Sequence, residues 1–151
     1  MQSSLELLII LSFGIIILLP IVTLAFVQMS SSGASLYAMQ AQGTANKLAA
    51  VAAFVASQGY PAQQYTSISV PQNVQSIYVG TLNNTPGRQI TFVISTGSGN
   101  SYVTAYSLVN VSGNLSAIES SATYIVNVSN QLSCPSNPGF PCVYLRPVLP
   151  K

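Results

Sequence analysis

Two carboxylates, Glu6 and Glu119, and four cations, Lys47, Arg88, Arg146 and Lys151, are the whole charged complement of a 151-residue sequence that contains no histidine. The acids stand more than 100 residues apart in the chain, too far in sequence to read as a general acid and base pair. Without histidine there is no evident base to activate a serine, and no cluster of metal-ligating residues. Neither enzymatic chemistry nor a cofactor is therefore expected. Gly97-Ser98-Gly99 lacks the strand, helix and lysine of a phosphate-binding loop and reads as a hairpin turn. A net charge of +2 spread over so few cations is too sparse to track a phosphate backbone, so nucleic acid is not an expected partner.

The remaining reactive groups are two thiols and four amide sites. Cys134 and Cys142 bracket the segment CPSNPGFPC, in which three prolines and a glycine bend the chain enough for the sulfurs to meet. A disulfide there would close a short loop, contribute about 2 to 3 kcal/mol and imply an oxidising compartment; two unpaired thiols are the alternative. Sequons occur at Asn83, Asn110, Asn114 and Asn127. A region so rich in Asn, Ser and Thr produces some by chance, yet a surface with so few charges is one that attached sugars would solubilise. At least one of the four is expected to carry a glycan.

The elements that hold these groups divide the chain in two. Overall 49% of residues are hydrophobic and only 4% charged, against about a quarter charged in ordinary soluble domains. Much of the apolar excess sits at the front. Leu7 to Val27, LLIILSFGIIILLPIVTLAFV, carries no charge over 21 residues, enough at about 1.5 Å per residue to cross a hydrocarbon core. Pro20 removes one backbone donor and is expected to kink the helix near Ile16 without ending it. Ser30 to Gly33 is a second soft point, and an Ala-rich stretch then continues to Gly59 and Pro61, which form a helix stop. Within it Leu48, Val51, Ala52 and Val55 recur at helical spacing and should face a second layer. Ala34, Ala38, Ala41, Ala45, Ala49, Ala52, Ala53 and Ala56 are small enough for another helix to approach, although a face turned to the chain's own domain explains most of them.

Three readings compete for the apolar run: a cleaved signal peptide, a permanent anchor and an assembly helix. No Lys or Arg precedes Lys47, so the basic flank expected of the first two is missing, and an acid stands in its place. The simplest expectation is that a short basic leader has been cut away on the cytoplasmic side.

Gln2, Ser4, Leu5 and Glu6, in QSSLELLIIL, resemble the opening of archaeal type IV pilins, in which a prepilin peptidase cuts ahead of a Gln-x-Ser-x-Glu stretch that begins the assembly helix. Met1 precedes the pattern. The resemblance covers about the first 30 residues and implies a filament subunit held in the cytoplasmic membrane before assembly, then carried into an extracellular cell-surface fibre of identical chains serving adhesion. It implies a prepilin peptidase and an assembly machinery as partners. The assembly residues are then Gln2, Leu5, Glu6, Leu8, Ile9, Phe13, Ile16, Pro20 and Leu24. Glu6, whose carboxylate would be costly beside lipid, would pair with the amine of a neighbouring chain, or else simply favour the helix start. A monomeric membrane-anchored module with an extracellular β domain is the alternative, as is a minor pilin.

After Pro61 the composition turns to Val, Ile, Tyr, Thr and Ser, punctuated by Pro, Gly and Asn every 8 to 12 residues. Six strands are expected, over 65–70, 74–80, 88–95, 101–109, 123–129 and near 142–146. The expected class is α+β: a long N-terminal helix over 1–60, apolar to about residue 30 and amphipathic over 31–60, followed by a small antiparallel β-sandwich-like domain over 61–151. In β-strand 88–95, Ile90, Phe92 and Ile94 should face inward, on the helix stripe of Leu48 and Val55, and Gln89, Thr91 and Val93 outward, which gives a small sandwich or a curled sheet.

Overall fold

A computed structural model describes residues 2–148 apart from 84, 98, 119 and 120; side chains at 2, 3, 30 and 31 also lie outside the description. One helix, α1 (Gln2–Ser57), is followed by six strands: β1 (Gln63–Ser69), β2 (Val74–Val79), β3 (Gly87–Thr96), β4 (Gly99–Asn114), β5 (Thr123–Gln131) and β6 (Cys142–Val148). The chain separates into two units, 1–36 and 37–151.

In the second unit the helix earns its amphipathic reading. Ala41, Ala45, Leu48, Ala49, Ala52 and Val55 are buried at spacings of three and four, the repeat that places side chains on one helical face. They join a single apolar cluster with Ile68, Ile77, Ile90, Phe92, Ile94, Val111, Val126 and Leu145 from the strands, and Ala38, Val51 and Ala56 pack at its margin. Alanine spacing in this unit thus serves the domain's own core. The helix ends as its residues predict: Gly59 takes a φ of 76°, which a Cβ would strain, and its amide donates to the Ala56 carbonyl at 3.1 Å.

The strands form one six-stranded sheet in the order β1-β5-β6-β4-β2-β3, with β3 also paired to β4. Of the two expected forms, a small sandwich or a curled sheet, the second is present: the strands make a single sheet, and the helix stripe of Leu48 and Val55 supplies the second layer of the core. Because β2, β3 and β4 pair mutually, the sheet curls at that end. β4 makes this possible by its length of 16 residues, with Gly99 to Tyr106 paired to β3 and Val111 to Asn114 shared between β2 and β6. All pairings are antiparallel except β4 with β6, where Gly113 faces Leu145. A Cβ at Gly113 would press on the Leu145 carbonyl oxygen and lie 3.0 Å from the Leu145 Cβ, so this parallel contact requires glycine.

Strand β3 departs from simple alternation. Ile90, Phe92 and Ile94 point into the core, but Thr91 and Val93 on the opposite face are buried as well. Their ladder neighbours explain the cover: Thr91 sits between Tyr78 and Thr104, bonded to the Thr104 hydroxyl at 3.0 Å, and Val93 between Ser76 and Tyr102. Tyrosines on both flanking strands shield what two neighbouring sheet faces would otherwise leave open.

Edge strand β1 has β5 as its sole partner among the described residues. Its outer carbonyls are met by the helix: Thr44 Oγ1 donates to Ser69 O at 2.8 Å, and Lys47 Nζ to Ser67 O at 2.6 Å. Gln42 Nε2 reaches the Thr104 carbonyl of β4 at 3.4 Å.

Candidate functional site

The surface that stands out in the first unit is apolar. Leu5, Leu8, Ile9, Phe13, Ile16 and Leu24 are all exposed, as are Leu7, Ile10, Leu11, Ile17, Leu18 and Phe26 on the other sides of the helix. Leu5, Ile9, Phe13, Ile16, Pro20 and Leu24 follow one another at steps of three and four and form a continuous stripe; the remainder make the segment hydrophobic all round. A water-exposed helix of this kind is unstable as such, and the stretch is long and apolar enough to cross a membrane.

Helical structure continues through Pro20 and through Ser30 to Gly33. Near the proline, Thr23 Oγ1 bonds to the Leu19 and Pro20 carbonyls at 3.0 and 2.8 Å, so the hydroxyl is satisfied inside the apolar segment. Gln2 opens the helix, with its side chain outside the described residues. Glu6 is exposed, one turn further on, and has no ion-pair partner among the described residues. Its carboxylate is thus the single charge in the described part of this unit.

Cys134 and Cys142 are joined in a disulfide with their Cα atoms 5.5 Å apart, and both are buried. The loop is pinned further by Cys134 N to Phe140 O at 2.9 Å and by Gly139 N to Ser133 Oγ at 3.1 Å. Gly97 lies in the two-residue turn between β3 and β4, closed by the Thr96 and Gly99 pair; its partner Ser98 is outside the described residues.

The four sequons occupy different environments. Asn83 is exposed after β2. Asn110 is exposed on β4 and accepts from Arg88 Nε at 3.4 Å, while Ser112 of the same sequon is buried against Ser136 at 2.7 Å. Asn114 ends β4, exposed, with its Oδ1 accepting from the amide and hydroxyl of Ser116 at 3.0 and 2.6 Å. Asn127 is the exception: it is 1% exposed within β5 and its Oδ1 has no hydrogen-bond partner. A folded domain does not present that amide nitrogen to an enzyme.

A shallow groove of about 440 Å³ lies where β1, β5 and β6 meet the disulfide loop, lined among others by Tyr60, Gln63, Ser129, Gln131 and Arg146. Sequence reasoning did not find it, because its residues are spread over some 85 positions and become neighbours only through the ladder pairs Gln63 with Ser129 and Asn127 with Arg146. No protein-family model, curated protein or solved structure matches this chain. What it can do is therefore argued from its own residues. Among the described residues no group of His, Cys, Asp or Glu could hold a metal ion.

Proposed function

We propose that this protein is the structural subunit of an extracellular filament of the type IV pilus kind, assembling through its apolar front helix and serving adhesion. One observation carries the reading: the second unit closes its own core with the back of α1, whereas the front of α1 exposes apolar side chains on every side and bears a lone carboxylate at Glu6. Lipid satisfies the side chains but not the acid. Copies of the same helix satisfy both, since a neighbouring chain can bring its terminal amine to Glu6 while apolar surfaces pack. The resemblance of Gln2, Ser4, Leu5 and Glu6 to archaeal pilins supports the same reading, and the disulfide suits an oxidising compartment. A heterologous contact between identical chains does not close and propagates as a helix.

Before assembly the front helix would rest in the membrane, and transfer to the fibre exchanges lipid for sister helices. Electron microscopy of sheared cell-surface fibres, with mass spectrometry of their subunits, tests the reading. Fibres built from this chain are expected; purified chain that stays as single lipid-bound particles under every condition would favour a monomeric membrane-anchored module instead. Mass spectrometry of the same material gives the first mature residue and the glycans.

A further inference from the structure

We propose that the groove between β1, β5, β6 and the disulfide loop binds an acidic saccharide, with Arg146 taking the sugar carboxylate. The inference goes beyond assembly and concerns what the domain touches. Of the cations among the described residues, Lys47 donates to the Ser67 carbonyl and Arg88 gives one N–H, at Nε, to the Asn110 side chain. Arg146 makes no hydrogen bond among the described residues, so its whole guanidinium is open. It does not donate even to Asn127, which faces it across the β5–β6 ladder and whose Oδ1 is buried and unpartnered. In a protein this poor in charge, an uncommitted guanidinium on the wall of a concavity has a two-pronged geometry that matches a carboxylate.

The rest of the lining limits the ligand. Gln63, Ser129 and Gln131 are neutral donors and acceptors, suited to hydroxyl groups, and Tyr60, 61% exposed, offers a ring to the C–H face of a sugar. One cation among neutral groups does not suit a dense polyanion, and so polar a lining gives an apolar ligand little to bury against. The wall is firm: Gln131 Nε2 bonds to Ser129 Oγ at 3.4 Å, Asn130 N to Ala62 O at 2.9 Å, and the disulfide fixes the loop next to Ser133.

Full-length chain held in detergent micelles tests this by titration with tetragalacturonate, its methyl ester, sialyllactose and inorganic phosphate. Saturable binding of at least one of the two acidic sugars is expected, and which one binds separates a uronate from a sialate source. The expected pattern is a tenfold or greater loss with Arg146→Gln, a smaller loss with Tyr60→Ala, and no change with Arg88→Gln; if tetragalacturonate is the ligand, its methyl ester binds at least tenfold more weakly. Absence of binding to both acidic sugars, tighter binding of phosphate, or an equal loss with Arg88→Gln would overturn the proposal. Circular dichroism of each variant shows whether the domain remains folded. Because single chains are titrated, a negative result leaves the assembly reading standing.

Discussion

The same substitution, leucine to alanine, should have opposite consequences in the two halves of α1. Leu48 is 0% exposed and, with Val55, is one of two large side chains that the helix drives into the core. Removing about three methylene equivalents forfeits roughly 2.4 kcal/mol of transfer free energy at about 0.8 kcal/mol each. A residual cavity adds to this, and the higher helix propensity of alanine returns a few tenths, leaving a cost of about 3 kcal/mol. For a domain of this size that corresponds to a fall in Tm of about 12 °C, at about 4 °C per kcal/mol. Leu24, 63% exposed, should shift the melting of the domain by no more than about 2 °C, because surface changes stay within about 0.5 kcal/mol. Near-ultraviolet circular dichroism of the chain in micelles follows the tyrosines of the β domain and reads both. Equal Tm losses for Leu48→Ala and Leu24→Ala, or no loss for Leu48→Ala, would refute the division of the helix into a core-forming half and a half that faces other molecules. Filament yield should show the reverse order of sensitivity once the Leu48 variant is assayed well below its Tm.

Replacing Asn127 by Leu removes a buried acceptor without a partner and should raise stability by about 1 kcal/mol in a thermal melt, despite deleting a sequon. Gly113→Ala should lower it by at least about 2 kcal/mol, since the new methyl meets backbone of β6 rather than a yielding side chain; a melt unchanged within about 2 °C would contradict the close approach of β4 and β6. Reduction of the 134–142 bridge, whose partners are separated by 8 positions, should cost about 2.5 kcal/mol on the chain-entropy account, seen as an earlier urea midpoint in dithiothreitol. Glu6→Gln keeps the size and removes the charge; filament yield should fall by at least tenfold while the domain melts unchanged, and normal fibres from this variant would remove Glu6 from assembly.

Much of the fold was legible because its signals are local. The six strands are each bounded by Pro, Gly or Asn and all six occur, with β4 running to Asn114 rather than stopping at Val109. Its extra length was hidden because Ser107 to Asn110 break the register opposite Arg88, an irregularity fixed by the pairing of Gly87 with Val111 and Gln89 with Tyr106. The helical stripe of Leu48, Ala52 and Val55, and the inward strand face that packs on it, were visible from spacing and alternation; the burial of Thr91 and Val93 on the other face was not, because their cover by cross-strand neighbours is set by register. Thr44 and Lys47 carried no pattern that marked them as partners of β1. Arg146 was invisible for the same reason, since a groove assembled from cross-strand neighbours leaves no trace along the chain.

The helix side chains that occupy carbonyls of β1 have a consequence for any setting in which copies of this domain are crowded. An unoccupied strand border invites accretion of another strand and, from there, disordered stacking. Thr44 and Lys47 take two of the acceptors on which such growth would start, Ser69 and Ser67. Strand-to-strand pairing between crowded copies is thereby disfavoured along this border.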